Sequence, residues 1–303
     1  MRAYRLTSYE PDGFALTDVP EPATGPGQVK VRVEQIGVNP LEWKIRKGYV
    51  PQMVTLPLVL GTDVAGTVVE TGPGVDDLTV GDRVAGFVDS GAYAALAVTR
   101  RERVTRVPDG LDLVSAAALV TAAETARRAI DLLDLAPGST VVVNGAAGSV
   151  GSAAVQLLAA AGHHVVGTAS AANHDVVRSW GATPVTYGET MVEELRAAAP
   201  GGVDAAVDTA GRDFVARVAD LVPARRVVTI TDFAAAQAGA IVTAGDPARL
   251  TAEAIGPVLA LAAQGSFAVR IDSVHPFEDV DRALARSEQG HPAGKVVLSR
   301  PTA

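Results

Sequence analysis

Thr140-Val141-Val142-Val143-Asn144 runs directly into Gly145-Ala146-Ala147-Gly148-Ser149-Val150-Gly151, and an alanine-rich stretch from Ser152 to Ala161 follows before Gly162. The first five residues are a short apolar, β-branched run, the mark of a buried strand. The stretch after the glycines reads as a helix ended by glycine. A strand, a tight glycine turn and a helix N-terminus in immediate succession form the context that a dinucleotide fingerprint requires. A pyrophosphate needs backbone N–H groups aimed at it and is favoured by the positive end of the helix dipole. Gly148 lets the backbone approach the phosphates, and Gly151 lets the helix pack on the strand. One departure stands out: Ala146 occupies the place of the first glycine of G-x-G-x-x-G, with Gly145 immediately before it.

Downstream of this turn the pattern repeats. His164 to Ala169 is a strand, His174 to Trp180 a helix, and Asp204 to Asp208 and Arg226 to Ile230 are further strands with helical sequence between them. Upstream, Ser115 to about Leu133 is alanine-rich and helical. Strands alternating with helices of this length predict an α/β fold with a doubly wound parallel sheet. Residues 1–112 read differently. Val29-Lys30-Val31-Arg32-Val33 alternates, Gly61 to Gly72 is β-branched and punctuated by glycine, and Val80 to Gly86 turns into another strand. Short strands with frequent glycine turns predict a barrel or sandwich. From about Ser273 short strands return around one helix, Phe277 to Glu288, and end in Lys295-Val296-Val297-Leu298. The expected division is therefore a β-rich domain from residues 1–112 and 273–303, with an α/β domain, 113–272, inserted.

The end of the second strand bears on which dinucleotide is bound. An Asp or Glu about 20 residues past the glycines holds the ribose 2′-hydroxyl of NAD. Here that strand ends Gly167-Thr168-Ala169-Ser170, and no acidic residue lies between Ser152 and His174. Ser170, Asn173 and His174 are neutral donors suited to a 2′-phosphate, and Arg178, one turn further, is placed to add charge. NADP(H) is the expected cofactor. Asn173 also fits a helix cap, with Asp175 in the first turn for the dipole.

The 303 residues are 48% hydrophobic and 20% charged, a globular composition. With 34 acidic against 26 basic residues the net charge is −8, which argues against a nucleic-acid partner. The absence of cysteine excludes disulfides, cysteine–zinc sites and a thiol nucleophile. No apolar run approaches the roughly 18 to 20 residues that span a bilayer, so no membrane partner is expected. Met1 leads straight into polar sequence, so a cytoplasmic location is expected. The histidines, at 163, 164, 174, 275 and 291, include no pair at helical ligand spacing.

Several short blocks, in order, resemble a known family. They are Val38-Asn39-Pro40-Leu41-Glu42-Trp43-Lys44-Ile45-Arg46-Lys47-Gly48, Gly61 to Gly66, Val80 to Val84, Gly91-Ala92-Tyr93-Ala94, Gly145 to Gly151, Val207-Asp208-Thr209-Ala210-Gly211 and Gly294 to Leu298. Together they resemble the zinc-independent quinone oxidoreductases of the medium-chain dehydrogenase/reductase superfamily, over nearly the whole chain. The resemblance implies a GroES-like β-rich catalytic domain made from both chain ends, a Rossmann domain between them, NADPH, a quinone or enone substrate, and a homodimer. Zinc relatives carry Gly-His-Glu where this chain has Gly61-Thr62-Asp63.

By that resemblance, Asn39 and Lys44 lie in a segment near the nicotinamide, Lys44 where many relatives have tyrosine, and Asp63 hydrogen-bonds near the site. Lys44 fits a solvated surface as well, Trp43 fits packing as well as a substrate wall, and Asp63 could equally brace a turn. The expected cofactor contacts are Asn39, Thr125, Asn144, Ala146, Gly148, Ser149, Val150, Gly151, Ser170, Asn173, His174, Tyr187, Thr209, Ala210, Thr231 and Lys295. Tyr187 matches a family tyrosine near the adenine ribose, and also fits an aromatic lid on the sheet edge. Glu124 stands where relatives read leucine before the threonine. No dedicated acid or base appears, in keeping with a proton drawn from solvent. The loops at 49–56 and 233–246 are expected to set the substrate, and the stretch Ala240 to Thr243 offers an edge strand for dimer pairing. A double-bond reductase and a non-catalytic NADPH-binding sensor are the alternatives.

Overall fold

The structure, a computed structural model, describes residues 1–88, 91–245, 250–290 and 293–300; His291 and Asp246 lie outside them. Along the chain the elements are β1 (Arg2–Leu6), β2 (Phe14–Asp18), β3 (Gln28–Val38), α1 (Pro40–Arg46), β4 (Leu58–Val59), β5 (Asp63–Thr71), β6 (Arg83–Phe87), β7 (Leu96–Arg100), β8 (Val104–Arg106) and α2 (Leu113–Asp131). They continue with β9 (Thr140–Asn144), α3 (Ser149–Ala160), β10 (His164–Ala169), α4 (His174–Ser179), β11 (Ala182–Thr186), α5 (Met191–Ala198), β12 (Ala205–Asp208), α6 (Phe214–Arg217), β13 (Val227–Thr229) and β14 (Ile241–Val242). The last are α7 (Ala252–Ala263), β15 (Ile271–Pro276), α8 (Val280–Glu288) and β16 (Lys295–Ser299). Two compact units result: Met1–Thr121 with Pro247–Ala303, and Ala122–Asp246.

In the first unit β3 is the central strand. It pairs antiparallel with β5, β7 and β16, and the sheet order is β15-β16-β3-β5-β6-β8. The β3–β5 register shifts twice, between Lys30 and Val31 and between Val33 and Gln35. Such bulges bend and twist a strand, which lets β3 serve several neighbours. Its alternating residues Val29 and Val31 are fully buried with Val68, Val84 and Val104, the packing that the period-2 pattern predicts. β15 pairs parallel with β16, so the C-terminal stretch belongs to this sheet.

The second unit is a parallel sheet of order β11-β10-β9-β12-β13-β14. Its strands read as continuous apolar runs because helices cover both faces. On one face Met191, Leu195, Phe214 and Val218 pack against Val142, Val166 and Val227. Counted from β9, the order is 3-2-1-4-5-6, so the chain reverses direction between β9 and β12, and ligands of such sheets bind beyond the strand carboxyl ends at that reversal. β14 is one of the two edge strands, with β11, at the stretch read from sequence as an edge.

The structure adjusts some expectations. The helix after the glycine turn begins at Ser149, one turn before Ser152, because the glycine turn itself supplies the first helical turn. The helical sequence after β12 forms only the short α6, as Pro223 and a 3-10 turn lead back into β13. The Phe277 to Glu288 helix starts as a 3-10 turn before α8.

Phe214 anchors α6 and is 1% exposed. Phe214→Ala is expected to lower unfolding free energy by about 3 to 5 kcal/mol, since the short α6 gives the cavity little means to collapse. The urea midpoint, read by circular dichroism at unchanged m-value, checks this.

Candidate dinucleotide-binding site

Gly145 leaves β9 with φ +80, and a Cβ there would meet the Thr209 hydroxyl at 2.8 Å and Ala210 Cβ at 2.9 Å. The turn therefore requires glycine at 145, and tolerates Ala146. That methyl is fully buried, and it fits because Gly167 on β10 has no side chain: a Cβ at 167 would lie 2.7 Å from it. The Ala146 N–H donates to the Thr168 carbonyl at 2.9 Å. The missing first glycine is thus moved one position back, and the space it would have left is supplied by the neighbouring strand.

Gly148 caps α3 in extended conformation, and its N–H donates to the Gly145 carbonyl at 2.9 Å. A Cβ on Gly151 would stand 2.1 Å from that same carbonyl oxygen, so only glycine lets α3 start this close to the turn. The first-turn N–H groups of Ser149, Val150 and Gly151 have no partner within the helix, and no acidic residue lies in that turn. Ala147, Gly148, Ser149 and Val150 are half-buried, a backbone surface suited to a pyrophosphate.

Beneath the turn lies a polar floor. Asp208, at the end of β12, is fully buried. It accepts from Asn144 Nδ2 at 2.8 Å, the Gly211 N–H at 2.8 Å, the Ala210 N–H at 3.1 Å, Thr229 Oγ1 at 2.8 Å and Thr231 Oγ1 at 3.4 Å. Asn144 Oδ1 accepts from Thr168 Oγ1 at 2.6 Å, and Thr168 Oγ1 accepts the Gly145 N–H at 3.0 Å. Thr209 Oγ1 donates to the Asn144 carbonyl at 2.7 Å. The carboxyl ends of β9, β10, β12 and β13 are tied together in this way. The side chains of Asn144 and Thr209 are turned into this floor, while Ala210 and Thr231 remain exposed above it. Asp208 was read from sequence only as part of a motif; the signal was an acidic residue ending an apolar strand and followed by Thr209 and Gly211.

At the end of β10, the β10–β11 register pairs Ala169 with Thr186, so Ser170 and Tyr187 leave neighbouring strands side by side. Ser170 Oγ accepts from Asn173 Nδ2 at 3.1 Å, and His174 Nε2 lies 3.4 Å from Thr186 Oγ1. Tyr187 is exposed, with the Arg212 guanidinium 5.6 Å from its ring centroid. Arg178, expected to supply charge here, pairs with Asp175 at 2.7 Å on the exposed face of α4, at i, i+3 spacing. Thr125 is nearly buried on α2, beside a buried Glu124–Arg128 ion pair of 2.7 Å.

The remaining candidates gather in the first unit. Asn39 caps α1, Pro40 takes the first helical position, and Glu42 reaches back so that Oε2 accepts the Asn39 N–H at 2.5 Å. Asn39 Nδ2 lies 3.3 Å from Glu42 Oε1, and its Oδ1 accepts from the Lys295 ammonium. Lys295 also donates to Asp63 Oδ2 at 3.0 Å, and Asp63 Oδ1 accepts from Thr121 Oγ1 at 2.6 Å and Thr62 Oγ1 at 3.1 Å. Asp63, Glu42 and Lys295 are all buried, so the Glu42 carboxyl lies close to a buried ion pair of Asp63 and Lys295. Burial and the neighbouring Asp63 push the Glu42 carboxyl up to about 8, so Glu42 keeps its proton at neutral pH. Lys44 stands apart, half-buried with its ammonium 5.6 Å from the Trp43 ring, and Trp43 meets Tyr49 edge-on at 5.9 Å.

Comparison with known proteins bears on both units. The alcohol dehydrogenase GroES-like domain matches residues 25–109, and the zinc-binding dehydrogenase family matches residues 180–298. The synaptic vesicle membrane protein VAT-1 homolog of Rattus norvegicus is 33% identical, over 91% of this chain and 78% of that protein. The chloroplast envelope quinone oxidoreductase homolog of Arabidopsis thaliana is 31% identical over 98% of both chains. The quinone oxidoreductase of Coxiella burnetii superposes with a TM-score of 0.87 at 25% identity, covering 99% of each chain. The chain belongs to the quinone oxidoreductase family of the medium-chain dehydrogenases/reductases.

As a member of that oxidoreductase family, it has the GroES-like β-rich unit and the parallel-sheet unit that the resemblance implied. Sequence reasoning missed Glu42, the centre of the buried charge cluster. Its signal was the spacing Asn39-Pro40-x-Glu42, a helix start with the acidic residue at the third position. Among the described residues, no helix is long and apolar enough to cross a membrane.

Glu42 also carries a prediction. The folded state holds a proton that the unfolded chain releases above about 4.5, so this contribution to stability is complete below that pH and is lost as pH rises through about 8. Melting temperatures measured from pH 5 to 8.5 should fall for the native chain and flatten markedly in Glu42→Gln; an equal slope in both would reject a neutral Glu42.

Proposed function

We propose that this protein is an NADPH-dependent reductase that moves a hydride to a quinone, or to the β-carbon of an α,β-unsaturated carbonyl, without zinc. The observation that carries the reading is the glycine cradle, where Gly145, Gly148 and Gly151 hold a helix N-terminus against the end of β9 at the reversal point of a parallel sheet. The residues fit a dinucleotide. Backbone N–H groups of Ser149, Val150 and Gly151 would hold its pyrophosphate, and the exposed Ala210 and Thr231 would line its path along the strand ends.

NADPH is favoured over NADH by the chemistry at the end of β10. No acidic residue follows β10 before Asp175, so the strand end itself offers no carboxylate to receive a 2′-hydroxyl. Ser170, Asn173, His174 and Tyr187 supply neutral donors, and Arg212 adds a cation beside the tyrosine.

The donor set does not fit a catalytic zinc. The chain has no cysteine, and the Asp63 carboxylate is engaged by Lys295, Thr121 and Thr62. Among the described residues, no group of three His, Asp or Glu side chains is arranged to hold a metal. Without a Lewis acid, an acceptor that is already electrophilic is the easier substrate.

When bound, the reduced nicotinamide supplies the hydride, and the protein supplies orientation and electrostatics. Lys295 and Glu42 hold the Asn39 amide in place. Asn39 is proposed as the donor to the acceptor oxygen on which negative charge develops. Lys44 is proposed as a cation for that charge. The proton that completes a hydroquinone or a saturated ketone comes from solvent. A homodimer joined through the β14 edge is part of the same proposal.

The test follows NADPH and NADH oxidation optically with an ortho-quinone and with a simple enone, in buffer containing a chelator. NADPH turnover that survives the chelator, at least about tenfold better in kcat/KM than with NADH, supports the reading, and the better acceptor chooses between quinone and double-bond reduction. Tight NADPH binding without turnover would make the protein a sensor, and no binding of either nucleotide would remove the proposal. Gly151→Val is expected to weaken NADPH binding about 100-fold or more, by forcing α3 away from the turn; titration of NADPH fluorescence reads it.

A further inference from the structure

We infer that Glu124 and Arg128 are positioning residues, a buried ion pair that fixes the Thr125 side chain for the nicotinamide half of the cofactor. The inference rests on the proposed function. Its starting point is a departure from the family, Glu124 in place of a leucine, that would be unfavourable alone. A lone buried carboxylate is costly, and even a paired one is often no better for stability than apolar residues of the same size. The pair is therefore weak evidence of a stabilising role.

Its geometry points to a positioning role. Glu124 and Arg128 lie one turn apart on α2, with side chains 4% and 6% exposed and Arg128 Nε 2.7 Å from Glu124 Oε1. Thr125 is caught between them: its hydroxyl donates to Glu124 Oε2 at 3.2 Å and accepts from Arg128 Nη2 at 3.4 Å. A helical threonine ordinarily divides between two χ1 rotamers, because its hydroxyl can also bond a carbonyl of the preceding turn. Here the ion pair offers a charged partner on each side and selects one rotamer. Arg128 Nη1 also donates to Thr243 Oγ1, and the Thr243 N–H donates to the Thr229 carbonyl at 3.1 Å. The clamp is thereby anchored past the carboxyl end of β14, next to the end of β13, on the side of a parallel sheet where ligands bind. Thr125 is held at that edge with its hydroxyl withdrawn into the ion pair.

The test is a mutant cycle on the full-length protein. Glu124→Leu with Arg128→Leu replaces the pair by apolar groups, and is made in the native chain and in Thr125→Val. Two quantities are read: kcat with NADPH and the acceptor the native chain prefers, and affinity for adenosine 2′,5′-bisphosphate, which reports the adenosine half alone. The paired substitution should lower kcat by about tenfold or more, leave bisphosphate affinity unchanged, and add no further loss in the Thr125→Val background. Independent, additive losses, a matching fall in bisphosphate affinity, or an unchanged kcat would each overturn the inference. Should the leucine pair fail to fold, Glu124→Gln keeps the shape and gives the same cycle. A native chain that neither binds nor oxidises NADPH rejects the proposed function and this inference with it, whereas an active chain with additive losses rejects the inference alone.

Discussion

A carboxylate with no access to water must be given partners for its charge, and Asp208 receives them from every strand end around the point where the sheet reverses. Asn144 comes from β9, Thr229 and Thr231 from β13 and the turn after it, and two backbone N–H groups from the turn that follows Asp208 itself. Hydrogen bonds to a charged, buried acceptor are the strong kind, and a network of this sort is costly when only partly satisfied. The glycine turn is built on this floor. Gly145 is held through Thr168, and Thr168 through Asn144. The surface offered to a dinucleotide is thus backbone set in place by side chains that point away from it.

The GroES-like unit solves a comparable problem with different chemistry. Asp63 begins β5, Asn39 and Glu42 open α1, and Lys295 begins β16, so residues more than 200 positions apart meet in one buried cluster. With Glu42 protonated, the Asp63–Lys295 pair leaves no net charge in this cluster. The same contacts fasten the C-terminal strand to β3 and β5. Lys295, expected as a cofactor contact, is engaged by Asn39 and Asp63.

Both clusters place acidic residues where the sequence offers little warning. The alternation of β3, the apolar runs of β9 and β12, and the glycine turn are local signals, and they were legible because strand and helix periodicities repeat within a few residues. That Ser170 follows a strand end was legible for a similar reason, and a parallel sheet brings it beside Tyr187 at the end of β11. Arg178 pairs with Asp175 on its own helix, a contact that the i, i+3 spacing made equally legible.

The sequence alone determined that a parallel sheet follows a β-rich segment, that a glycine turn opens a helix at the first of its strands, and that neither cysteine chemistry nor an acidic residue at the second strand end is available. Those properties depend on composition and on spacings of a few residues. Only the tertiary structure decided that Ala146 is tolerated because Gly167 leaves it room, that Asp208 organises four strand ends, that Glu42 holds a proton beside Asp63, and that Glu124 is answered by Arg128 around Thr125. Each of these depends on distance and burial between groups from separate elements or successive turns of one helix, and the cost of a buried charge or a misplaced methyl is set by the neighbours that folding brings to it.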